Sequence, residues 1–133
     1  MQVISLDFKG YTWERFMWQV AYQKGILLVY RGKLDAEGFA MMQEILYVDY
    51  TTICDLYYSA IIDSIKERMA REEMLFFSIA EVDGHVANDV KAMLVHSVKP
   101  VFNEMVEVNA DLIVESRGSC DLVPNVIKHP KSK

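Results

Sequence analysis

Two stretches decide how this chain is read: Gly25-Ile26-Leu27-Leu28-Val29-Tyr30 and, sixteen residues further on, Leu46-Tyr47-Val48-Asp49. Both are short, apolar and rich in strand-forming residues. A run this brief is too short for an ordinary helix and suits a strand buried in a sheet. Between them, Arg31-Gly32-Lys33 and Gly38 supply turn chemistry, with a helical-looking piece around Phe39 to Glu44. The pair therefore reads as a long-looped hairpin with strands over 25–30 and 45–49.

Downstream, Thr52 with Asp55 makes a capping-box-like start. The spacing predicts a helix over 53–71, with Cys54, Tyr58, Ile61, Ile62, Ile65 and Met69 on one face and Asp55, Ser59, Asp63 and Lys66 opposite. Met74 to Val82 is nearly continuous apolar sequence and reads as a central strand buried on both faces. Asp83-Gly84 turns the chain. A helix over 86–98 follows, carrying Val86, Val90, Met93, Leu94 and Val98 inward and ending at Lys99-Pro100, because the residue before proline disfavours helix.

Upstream, Ile4, Leu6 and Phe8 alternate with Val3 and Ser5, as in a strand with one buried face, read here as a candidate edge strand. Thr12 caps a short helix whose Trp13, Phe16, Met17 and Val20 share one side. A last strand is read over 112–115, then a turn at Gly118 and a short segment from Val123 to Ile127. The expected class is α+β: a small, mainly antiparallel three-stranded core sheet with flanking helices and extra strands from the two ends. Residues 1–133 read as one domain, with 128–133 as a flexible basic tail.

Composition fits a folded protein. Hydrophobic residues make up 52% and charged residues 25% of 133, outside the disordered range. The apolar runs are too short to span a bilayer and the start does not read as a leader, so a cytoplasmic setting is expected. Cys54 and Cys120 do not make a disulfide scaffold. The net charge is −5, and without the three lysines of 128–133 the rest carries 11 basic against 19 acidic residues. No dense Lys/Arg stripe offsets that excess, which argues against a general phosphate-backbone binder. His85, His96 and His129 are not spaced as a metal set with the cysteines.

The hairpin and the helix after it, together with Lys99-Pro100-Val101-Phe102-Asn103, resemble the GIY-YIG nuclease superfamily over roughly residues 25–103. In that family the two strands bear Gly-Ile-Tyr and Tyr-Ile-Gly. A helix then brings an arginine, a later helix a metal-binding glutamate, and an asparagine follows a Lys-Pro segment. The resemblance implies a divalent cation held by carboxylate oxygen, an arginine offsetting phosphate charge and a tyrosine or metal-bound water handling the proton or the attack.

Carried onto this chain, Gly25-Ile26, Tyr47 and Asn103 match. Leu27 replaces the first tyrosine, Asp49 the closing glycine, Tyr57 the arginine and Lys91 the glutamate. A protonated lysine cannot ligate a metal, and Asp89 is rotated about 200° from Lys91 around the helix. Arg68 lies about 16 Å along its helix from Tyr57, too far to serve the same phosphate. Tyr47 and Asn103 are thus vestigial, and each also has a plain structural reading: a half-buried packing tyrosine and an asparagine satisfying loop amides.

The favoured expectation is a catalytically degenerate domain, not an enzyme, that binds a protein partner or small ligand in the former cleft. Its binding candidates are Tyr30, Tyr47, Tyr50, Tyr57, Lys91 and Asn103, with no metal and no cofactor. One alternative is a DNA endonuclease with a rearranged site, using Asp89 or Asp49 with Mg²⁺ or Mn²⁺. Another is a nucleic acid binder that does not cut, holding bases on cleft tyrosines and phosphate on Lys91. Trp13 and Trp18 are candidates for a homodimer face.

Overall fold

The computed structural model describes residues 2–11, 24–31, 41–48, 63, 67, 75–109, 111–118 and 122–128. Six strands form one sheet: β1 (Gln2–Tyr11), β2 (Gly25–Arg31), β3 (Met41–Val48), β4 (Leu75–Glu81), β5 (Leu112–Gly118) and β6 (Val126–Lys128). The spatial order is β3-β2-β4-β1-β5-β6. β1 runs parallel to β5, with Gln2 opposite Leu112 and Phe8 opposite Gly118. Every other pairing is antiparallel. The helix α1, Ala87–Val98, packs on this sheet.

This corrects the expected class. The protein is mostly β, built on a six-stranded mixed sheet, and is not an α+β fold with helices flanking a three-stranded core. Two local signals explain the difference. β1 is ten residues long and pairs on both sides, with β4 through Lys9–Tyr11 and with β5 through Gln2–Phe8, so it is interior and not an edge. Alternation announces a strand, but it does not name the strand's partners, which here are far apart in sequence.

From Met41 on, the helical-looking piece before Tyr47 is strand as well. A bulge sets in between Val29 and Tyr30: Val29 pairs with Glu44, Tyr30 with Met42, and Gln43 is left over. The extra residue puts Met42 and Ile45, three positions apart, in the same core cluster. Such i, i+3 spacing of apolar residues mimics a helix in the bare sequence.

The two halves of the sheet differ as their sequences do. Gly25 to Val29 and Phe77 to Ala80 are buried without interruption, so both faces of central β2 and β4 are covered. β1 instead alternates: Leu6 and Phe8 are buried while Ser5, Asp7 and Lys9 are exposed. The core lies where α1 meets the sheet. Val90, Met93 and Leu94 cluster there with Leu6, Phe8, Ile26, Leu28 and Val114. Each such side chain, fully buried, contributes roughly 1.5–3 kcal/mol. α1 packs against β2, β5 and both outermost strands, β3 and β6, so the sheet curls around it.

α1 ends as its sequence requires. Lys99 takes a left-handed conformation, φ 57°, and its N–H donates to Val95 O at 2.9 Å. Pro100 then bars further helix. The expected helix over 12–20 lies outside the described residues, as do 129–133 and both tryptophans. Of the helix expected over 53–71, only Asp63 and Glu67 are described, and both are helical. Among the described residues no helix is long and apolar enough to cross a membrane.

Candidate functional site

The segment leaving α1 helps to build a concavity among the described residues. After Pro100 it runs beside β3, the outermost strand of its half of the sheet. The Val101 N–H donates to Met42 O at 3.3 Å and the Phe102 N–H to Gln43 O at 2.9 Å. Asn103 completes the attachment through its side chain. Its Nδ2 donates to Ile45 O at 2.8 Å, and its Oδ1 accepts the Ile45 N–H at 2.7 Å. The asparagine amide thus occupies the place a neighbouring strand's peptide would take, and edge groups of β3 that would otherwise stand open are satisfied.

Beyond this clamp the chain turns away and leaves a cavity of about 560 Å³ between β3, α1 and residues 102–107. Leu46, Ala92 and Val95 give it apolar lining, with Phe102 and Val106 on the loop side. Phe102 is 56% exposed and Val106 48%, with Val101 and Met105 beside them in a similar state. Among the described residues its charged lining is Glu44, Asp89, Glu104 and Glu107 with Lys91, four carboxylates to one ammonium. A concave wall with that imbalance has a negative potential and attracts cations.

Of the residues singled out from sequence, Lys91 and Asn103 meet at this cavity, and Asp89 borders it too in spite of its angular separation from Lys91. Tyr47 is half-buried against the core, its hydroxyl next to Gly84, and does not line the cavity. Tyr30 is also elsewhere. It stacks on Phe76 with ring centroids 5.9 Å apart, and its hydroxyl lies 3.1 Å from Ser78 Oγ. The tyrosine cluster expected in one cleft is therefore not assembled by Tyr30 and Tyr47. Tyr50, Tyr57 and Asp49 lie outside the described residues.

Among the described residues no three His, Cys, Asp or Glu side chains gather as a metal set. The acidic turn before α1 holds itself together. The His85 N–H donates to Asp83 Oδ1 at 2.9 Å, and the His85 ring nitrogen Nδ1 lies 3.0 Å from the same oxygen. That backbone donor, and secondarily the ring, hold the Asp83 carboxyl below its ordinary pKa. Both side chains are exposed and neither borders the cavity.

Sequence reasoning missed Phe102, Glu104, Val106 and Glu107. The available signal was the composition of 101–106, where four large apolar residues follow a proline outside any periodic element. Apolar residues that no helix or strand accounts for are candidates for an exposed patch. Comparisons with protein-family models, with curated proteins and with solved structures find no match for this chain.

Proposed function

We propose that this protein is a non-catalytic interaction module that receives a protein partner in the groove between β3, α1 and residues 102–107. One observation carries the reading: half-exposed Phe102 and Val106 are held beside a concave surface by a loop that Asn103 locks to Ile45. A fixed loop presents its apolar side chains without the ordering cost that a mobile one pays on binding. Apolar side chains grouped beside a cavity and ringed by charge have the make-up of a recognition patch.

The surroundings of Lys91 favour a protein over a nucleic acid, since a phosphate reaching that ammonium would also meet Glu44, Asp89, Glu104 and Glu107. The cytoplasm is the compartment proposed, on the composition alone. A random peptide display library tests the role. Selection on the native protein, with counter-selection on a Phe102→Ser/Val106→Ser double substitution, should enrich a shared sequence pattern. Both positions are exposed, so the substituted protein keeps the fold, as its melting temperature will show. Equal enrichment on the native and the substituted protein, or none on either, would overturn the binding role.

A further inference from the structure

We infer that the occupant of this groove is a basic amphipathic helix of a partner protein, an inference that rests on the binding role proposed above. Three observations lead to it. The described charged lining of the cavity is formally −3, four carboxylates with Lys91, so an occupant carrying lysine or arginine is complementary. The apolar lining, from Leu46 and Val95 across to Phe102 and Val106, asks for apolar anchors on the same occupant. At about 560 Å³ it accommodates a few side chains and leaves the rest of the partner outside.

The occupied edge of β3 argues against the commonest other mode. Peptides often bind a sheet by adding a strand to its edge. Here Met42 O, Gln43 O and both backbone groups of Ile45 already bond to residues 101–103, so β3 offers no open ladder at this point. Recognition must then run through side chains. A helix, whose backbone hydrogen bonds close internally, can bring apolar anchors at i, i+3 and i+4 on one face and cations along the flanks. The chain's own basic end does not fit this description. Lys128-His129-Pro130-Lys131-Ser132-Lys133 contains a proline and no large apolar side chain.

Fluorescence anisotropy with three labelled peptides of about 18 residues, long enough to hold a helix, tests the inference. One is a Lys/Leu amphipathic sequence. The second has the same pattern with Glu for Lys. The third is the Lys/Leu sequence with two central prolines. The Lys/Leu peptide should bind best, more weakly as salt is raised, and at least about tenfold more weakly to Glu104→Lys/Glu107→Lys. Equal binding of the Glu or proline peptide, or indifference to the charge reversal, would overturn it. If the display selection still enriches a pattern, the binding role stands and only the partner's class is wrong. If both fail, the binding role falls as well.

Discussion

The side chain of Asn103 hydrogen-bonds both backbone groups of Ile45, fifty-eight residues away in sequence, at 2.7 and 2.8 Å. A single amide thereby joins the loop after α1 to an outermost strand, closing part of the sheet edge and shaping the groove beside it. Asn103→Ala leaves two part-buried peptide groups without these partners, which costs about 1–3 kcal/mol. Urea denaturation should show a lower midpoint with an unchanged slope. Size-exclusion chromatography should also reveal more association, because the freed β3 edge becomes a template for pairing. An unchanged midpoint would mean that water replaces the side chain without loss.

Gly25 fixes the closeness of β2 and β4. A β-carbon there would overlap the carbonyl oxygen of Ala80, which is backbone and cannot swing aside. Gly25→Ala should therefore destabilise the protein by about 1–3 kcal/mol, at the upper end because overpacking against a paired strand moves the ladder itself. Thermal unfolding followed by circular dichroism measures this. A loss of under about 1 kcal/mol would show that the strands can part without consequence.

How far the sequence reaches depends on the range of the interaction. β2, β4 and α1 are legible in it, because continuous apolar character, helical periodicity and the Lys99-Pro100 stop are local. β3 is misread in its first half, because the bulge beside Gln43 places Met42 and Ile45 on one side at helical spacing. The sheet's size is not legible, since β1 meets β5 across more than a hundred residues and no local pattern encodes that pairing. For the candidate site, the sequence singles out Lys91 and Asn103 through a family resemblance, and both border the groove. The two positions carry different roles: Asn103 is occupied by the strand edge, and Lys91 sits among carboxylates. Phe102 and Val106 stay hidden because sequence alone does not show that the loop bearing them is tied to β3.

Ser116 is 8% exposed, and its hydroxyl has no hydrogen-bond partner among the described residues. A buried hydroxyl without a partner costs free energy that an apolar group of similar size does not. Ser116→Ala should be neutral or stabilise by up to about 1 kcal/mol, read as a raised denaturation midpoint. A clear loss of stability would show that the hydroxyl is satisfied in solution.

The Asp83 carboxyl is held low, first by the His85 N–H and then by the His85 ring. A depressed carboxylate adds stability above its unfolded pKa, and that contribution disappears as pH falls through the folded value. Any contribution from Asp83 is thus present at neutral pH and lost in acid below the usual carboxylate range. His85→Ala keeps the backbone donor, so NMR titration should show the Asp83 pKa rising only part of the way to its ordinary value. A full return would make the ring, and not the N–H, the main cause.

The most direct test of this groove as the seat of a basic amphipathic helix is amide chemical-shift mapping as the Lys/Leu amphipathic peptide is titrated into labelled protein. The expected perturbations concentrate at Glu44, Leu46, Lys91, Val95, Phe102 and Val106, while Ser5, Asp7 and Arg117 on the far half of the sheet stay still. Perturbations centred on β1 and β5, or none at saturating peptide, would contradict it.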